Sequence, residues 1–241
     1  MKKLTDEKIK EYLPEFLDLY AQQEYESNDG GMKFPQLFGM YCFLKEVNPS
    51  LVIESGVWRG LGTWMIEKTL PDADIISFDI NLALRNYISE DVTYIENDVS
   101  NMDWNSFFSE YPEKNLENTL IFFDDHIDFS SRLELLENVN IKYVIYEDNY
   151  PPQQGDCISP KQILESPLIE DEIKQKFSSL VKDYFEFPPM YLPEKTRWGD
   201  DFNNYNVKKP IFSEKNELLK GINSFVNYTY ICCIEMDYDR G

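Results

Sequence analysis

The apolar positions follow two periods along the chain. From Thr5 to about Gln23 they recur at Ile9, Tyr12, Leu13, Phe16, Leu17 and Tyr20. That is the spacing of one helix face, with Thr5 and Asp6 as caps and Pro14 expected to kink or split the helix. SNDGGM, Ser27 to Met32, reads as a turn, and Phe34 to Val47 as a second amphipathic helix that Asn48-Pro49 ends. From Leu51 the pattern changes to short apolar runs between helical stretches. Strands are expected at Leu51–Glu54, Asp74–Asp79, Val92–Glu96, Thr119–Asp124 and Tyr143–Glu147. Helices are expected at Gly62–Leu70, Trp104–Tyr111 and Ser130–Asn138.

Strands alternating with helices imply βαβ units and a mostly parallel sheet. Runs such as LVI, IISF, LIFF and YVIY are apolar throughout, as in a sheet covered on both faces. Beyond Tyr150 the pattern is less regular. PPQQGDCISP reads as a loop, Asp171 to Tyr184 as a helix and Leu218 to Ser224 as a short helix. Tyr228 to Met236 reads as the last strand. Residues 187–209 carry no clean period and suit a lid or substrate wall. The expected organisation is an N-terminal helical extension, residues 1–50, followed by a Rossmann-like α/β domain, residues 51–241. Its irregular segment covers about 150–210.

Composition narrows the partners. The chain has 241 residues, 42% of them hydrophobic and 15% aromatic, which fits a globular protein. It holds 44 acidic and 23 basic residues, a net charge of −21. Such a field repels phosphate backbones, so nucleic acid is not an expected partner. The four cysteines form no C-x-x-C pair, no leader sequence is apparent, and no apolar run reaches the length of a membrane span. Buried free thiols in a reducing, cytoplasmic compartment are the expectation. Cys232 and Cys233 are adjacent in a strand-like run and should face opposite sides of it. The apolar stripes of the two N-terminal helices suit either core or a homodimer surface.

The chemistry gathers at strand ends. ESGVWRGLGT, Glu54 to Thr63, puts Gly56, Gly60 and Gly62 between a strand and a helix. Glycine lets backbone turn sharply and approach a ligand, and the helix start offers free N–H groups. The spacing is not G-x-G-x-x-G, so the dinucleotide fingerprint is not met. Asp79 closes the second strand, where a carboxylate can take ribose hydroxyls. Asp98 follows the third, where an adenine edge would lie.

This series of an acid, three spaced glycines and a threonine, an acid closing the next strand, and Asn97-Asp98 resembles the class I S-adenosylmethionine-dependent methyltransferases. The resemblance covers about Leu51 to Asn149. It implies a doubly wound, seven-stranded sheet and a cofactor site formed by Glu54, Gly56, Gly60, Gly62, Thr63, Asp79 and Asp98. It places Glu54 near the methionine amino group.

IFFDDHID and YVIYEDNY end the fourth and fifth strands and should meet at one edge. That many carboxylates repel one another unless something positive sits among them, and their oxygens suit Mg²⁺, Ca²⁺ or Mn²⁺. Here the pattern resembles the metal site of the catechol O-methyltransferases, and Glu-Asp after the fifth strand that of metal-dependent sugar O-methyltransferases. The implied ligands are Asp125, Asp148 and Asn149, with Glu147 as an alternative. The catechol enzymes' general-base lysine is replaced by Asp128, so either Asp128 or His126 would act as base beside Asp125. Asp128 serves equally well as a helix N-cap. Gly30 to Met32 would fold over the cofactor or form an ordinary turn. Trp198, Asp200, Asp201 and Tyr205 would supply acceptor contacts or lid packing. The expected activity is a metal-assisted O-methyltransferase acting on a small molecule or sugar. The alternatives are a metal-independent methyltransferase and a non-catalytic cofactor-binding protein of the same fold.

Overall fold

The computed structural model of the chain describes residues 4–23, 30–110, 118–139, 141–191, 208–212 and 230–237. The expected helix at Leu218–Ser224, the residues Trp198, Asp200, Asp201 and Tyr205, and Ser27 to Asp29 of the expected turn lie outside them.

Two helices open the chain. α1 (Asp6–Tyr20) starts where Thr5 Oγ1 accepts the Lys8 N–H, and it buries Ile9, Leu13 and Phe16. It is a single helix containing Pro14 rather than two pieces. Pro14 faces solvent, and the buried residues on either side, Leu13 and Phe16, hold the helix to its neighbour. α2 (Phe34–Val47) is buried from Phe34 to Leu44, too thoroughly for an amphipathic surface helix, and Asn48 ends it in the left-handed conformation. The Phe16 ring packs against Phe34, Phe38 and Tyr41. The apolar stripes of both helices are thus core.

Among the described residues the sheet has seven strands: β1 (Leu51–Ser55), β2 (Asp74–Asp79), β3 (Val92–Glu96), β4 (Thr119–Phe123), β5 (Tyr143–Tyr146), β6 (Val181–Glu186) and β7 (Cys232–Met236). Their order is β3-β2-β1-β4-β5-β7-β6. The first five pair in parallel, and β7 runs antiparallel to both neighbours. This is the expected doubly wound α/β sheet. Alternate residues of each strand feed two cores. Val52, Leu120, Phe122, Ile145 and Cys233 pack under α1, α2 and α3 (Leu61–Thr69). Leu51, Ile53, Ile121, Val144 and Cys232 pack under α4 (Trp104–Glu110), α5 (Phe129–Asn138) and α7 (Asp171–Leu180). All four cysteines are free and buried, with Cys232 and Cys233 in opposite cores.

Two elements differ from expectation. The helix from Asp171 stops at Leu180, and Val181–Glu186 is the edge strand β6 instead of its continuation. Five residues of β6 pair with β7, and that ladder uses the strand preference of Val181, Tyr184 and Phe185. The stretch after Tyr150 also yields a short helix, α6 (Pro160–Glu165), where Ser159 Oγ accepts the Gln162 N–H at 3.0 Å and Pro160 takes the first turn.

The strand order reverses between β1 and β4. The two strands stay paired to their ends, but the chains leaving them turn to opposite faces of the sheet and leave a crevice, the usual binding position in such sheets.

Candidate active site

A cavity of about 420 Å³ occupies that crevice. Ser55, Gly56 and Trp58 line it after β1, Phe78, Asp79 and Ile80 at the end of β2, and Asn97 and Asp98 after β3. Asp124, Asp125, His126 and Ile127 follow β4, and Gly30, Gly31 and Arg132 complete the wall.

The glycines make room chiefly for protein. Gly56 has φ +99°, and a Cβ there would stand 2.0 Å from the Asp124 carbonyl oxygen, so the loop lies directly on the end of β4. Gly60, φ +90°, turns the chain into α3 against Tyr87. Gly62 lets α3 settle on Glu54, whose Oε1 would be 2.7 Å from an added Cβ. Asp79 fastens the same loop: its Oδ2 accepts the N–H groups of Val57 at 2.8 Å and Trp58 at 2.9 Å, and its Oδ1 that of Asn81 at 2.8 Å. Trp58 itself has φ +47° and remains 41% exposed. Its ring lies beside Gly30 and the Arg59 guanidinium.

Glu54 points into the core under α2 and α3 and does not line the cavity. Its Oε2 accepts from Thr63 Oγ1 and Ser77 Oγ, both at 2.6 Å, while Oε1 has no partner among the described residues. Burial pushes its carboxyl up to about 7, against the pull of the two hydroxyls. Thr63 is fully buried and serves Glu54.

Arg132, from the first turns of α5, ties two strand ends together. Its Nη2 donates to Asp125 Oδ2 at 2.6 Å, and its Nη1 to Asp98 Oδ1 at 3.3 Å and to Ser100 Oγ. Partial burial works against the Asp98 carboxylate, but the Ser100 N–H and Arg132 hold it below its usual range. Arg132 is 1% exposed and was not singled out from sequence, because RLELLEN reads as an ordinary amphipathic helix. The signal was indirect, since a crowd of carboxylates demands a positive charge.

Asp124 and His126 of the cavity lining and Asp148 behind them bring one ligand atom each within 4.8 Å of one another. His126 Nδ1 is 3.2 Å from Asp148 Oδ2 and 3.4 Å from Asp156 Oδ2. Asp148 is 2% exposed, and its Oδ1 has no partner among the described residues. Burial raises the Asp124 carboxyl well above its usual range, and the Asp148 charge raises it further.

The other expected ligands face elsewhere. Both oxygens of Asp125 are engaged, Oδ2 by Ser55 Oγ and Arg132 and Oδ1 by the Ile127 N–H. Burial raises its carboxyl, with Arg132 and these hydrogen bonds pulling it back. Asn149 donates to Tyr184 Oη and accepts the Lys161 N–H. Glu147 accepts from Gln36 of α2. Asp128 stands at the start of α5 and accepts the Ile158 N–H at 2.6 Å, outside the cavity lining.

No protein-family model matches the sequence, and no curated protein matches it. Solved structures similar in shape include the CmcI apo structure, at 16% identity and TM-score 0.48, covering 70% of this chain and 76% of that one. CmcI with Mg and S-adenosylmethionine follows at 15% and 0.45, with the same coverage. The Podospora anserina methyltransferase PaMTH1 bound to S-adenosylhomocysteine stands at 14% and 0.42, covering 73% and 80%. At such values the fold assignment rests on the sheet order itself.

Proposed function

We propose that this chain is an S-adenosylmethionine-dependent methyltransferase. It transfers the methyl group to a hydroxyl oxygen of a small molecule or sugar, with a divalent cation, Mg²⁺ foremost, at Asp124, His126 and Asp148. The observation that carries the reading is the adjacency of two features. A cavity at the strand-order reversal bears carboxylates at the ends of β2 and β3, and a three-residue acid–histidine cluster lies on its β4–β5 side.

The residues suit both groups. The buried Asp148 oxygen that has no partner among the described residues, beside Asp124 and His126, fits a cation. The two carboxylates suit Mg²⁺ or Mn²⁺, and an imidazole among the ligands favours Mn²⁺. Bound there, such an ion lowers the pKa of an acceptor hydroxyl. Asp79 and Asp98 offer carboxylate oxygens to the hydroxyls and amines of a nucleoside. Trp58, Ile80 and Ile127 give the cavity an exposed apolar rim on which a flat base can lie. Methyl transfer from a sulfonium releases a neutral thioether, so alignment and a deprotonated acceptor are the main requirements. Only where no cation occupies the cluster is the imidazole of His126, half exposed at the cavity edge, free to receive the acceptor proton.

Calorimetry with S-adenosylhomocysteine, with and without Mg²⁺, tests the reading. Binding of the cofactor product is expected, and no binding in either condition would sink it. Arg132 supports a second reading, a metal-independent methyltransferase, because it already supplies positive charge to the carboxylates. Turnover unaffected by chelator would select that one.

A further inference from the structure

The carboxylates at the strand ends form two groups, and Arg132 divides them. Among the described residues lining the cavity it is the only lysine or arginine. Its guanidinium lies 5.2 Å from the Phe123 ring centre and is shut away from water. It holds Asp98 and Asp125, and Ser55 and the Ile127 N–H complete the coordination of Asp125. Asp148, one strand further on, keeps an oxygen without a partner. A guanidinium cannot shed its charge, so this counter-ion is permanent.

We propose that Arg132 is the resident counter-ion of this ridge and a positioning residue for the cation site. By occupying Asp125 and Asp98 it confines a divalent cation to Asp124, His126 and Asp148, and its fixed charge sets how tightly that cation is held. The proposal rests on the cation reading of the cluster. Two opposing effects follow from it. The sequence-adjacent Asp125 contributes nothing to cation binding despite its chemistry. Removing Arg132 frees Asp125 and deletes a repelling charge, so the cation binds more tightly.

The test is Mn²⁺ binding to the full chain, by calorimetry and by the paramagnetic resonance signal of free Mn²⁺, with folding checked by circular dichroism. Asp148→Asn is expected to weaken binding about tenfold or more, as loss of a ligand does, and Asp125→Asn to leave it within about twofold. Arg132→Met is expected to tighten it about threefold or more, and Arg132→Lys, which keeps the charge, to stay near wild type. Equal losses from Asp125→Asn and Asp148→Asn would overturn the proposal, as would weaker binding by a folded Arg132→Met. Where Arg132→Met does not fold, the comparison of Asp125→Asn with Asp148→Asn decides. Mn²⁺ binding by Arg132→Met but not by wild type would end the cation reading for the natural chain and uphold Arg132 as its substitute. Binding by neither would end both.

Discussion

Oδ2 of Asp79 accepts the backbone N–H of Trp58 at 2.9 Å, so the carboxylate that closes β2 also holds the loop that follows β1. Asp79→Ala would leave the N–H groups of Val57, Trp58 and Asn81 without this acceptor. These groups are partly open to water, so a loss of about 1–2 kcal/mol is expected in urea denaturation. S-adenosylhomocysteine affinity is expected to fall about tenfold or more, since Asp79 would serve the ligand as well. A variant with unchanged affinity would separate loop fastening from binding.

Glu54 makes stability depend on pH in a defined direction. Its folded value, about 7, lies above the ordinary 4.5, so the folded state binds its proton more tightly. The associated stability is fully present below about pH 4.5 and is lost as pH rises through about 7, on the order of 3 kcal/mol in all. Glu54→Gln removes this titration while keeping an acceptor for Thr63 and Ser77. Comparing wild type and variant between pH 5 and 8 isolates it from Asp124, which titrates in the same sense. Parallel stability curves would show that Glu54 does not titrate as described.

The glycines predict a ranking. At Gly56 an added methyl meets the backbone of Asp124 at 2.0 Å with φ +99°, so neither neighbour nor conformation can yield. Gly56→Ala is expected to cost about 3 kcal/mol or more. At Gly62 the methyl meets Glu54 Oε1 at 2.7 Å, the end of a side chain, and a smaller loss of about 1–2 kcal/mol is expected. Thermal unfolding of the two variants checks the order; the reverse order would refute it.

Lys161 and Glu186 form an ion pair at 2.6 Å, each side chain at most 3% exposed, joining α6 to the end of β6. Lys161→Met alone would take the ammonium from a buried carboxylate and is expected to destabilise by about 3–5 kcal/mol. The double variant Lys161→Met/Glu186→Leu is expected to recover most of that loss. Failure to recover in urea denaturation would show that the pair is needed for more than its charge balance.

The fold was legible where pattern and packing agree. β1 to β5 were read to within a residue because four of them carry a continuous apolar run and β3, VTYIE, carries the branched and aromatic residues that strands favour. β6 was missed because VKDYFE has no two-residue alternation and no glycine or proline divides it from α7. Its strand character comes from β7, distant in sequence. At the site, sequence identified the strand ends that converge but not how the acids divide. Asp124 and Asp125 are neighbours of identical chemistry. One faces His126 and Asp148 and the other faces Arg132, a distinction set by a helix whose inward arginine looks like any surface residue. Glu54 likewise read as a ligand-facing acid, and its place in the strand alternation turns it to the core.

The position of β7 also bears on when the molecule becomes whole. β6 touches the sheet only through β7, so it must wait for a strand that lies beyond residues 187–231. The β6–β7 loop, about 50 residues, is no longer than the one closed by β1 and β4, so the delay comes from the dependence of β6 on β7 rather than from distance. The sheet is therefore expected to assemble in two stages, with a parallel half first and the antiparallel edge last. Cys157, whose Sγ lies 3.2 Å from Tyr146 Oη at the end of β5, and the adjacent pair Cys232–Cys233 lie in different stages, so pulse labelling of thiols during refolding would time them separately. Protection of all three at a single rate would show instead that the two halves form together.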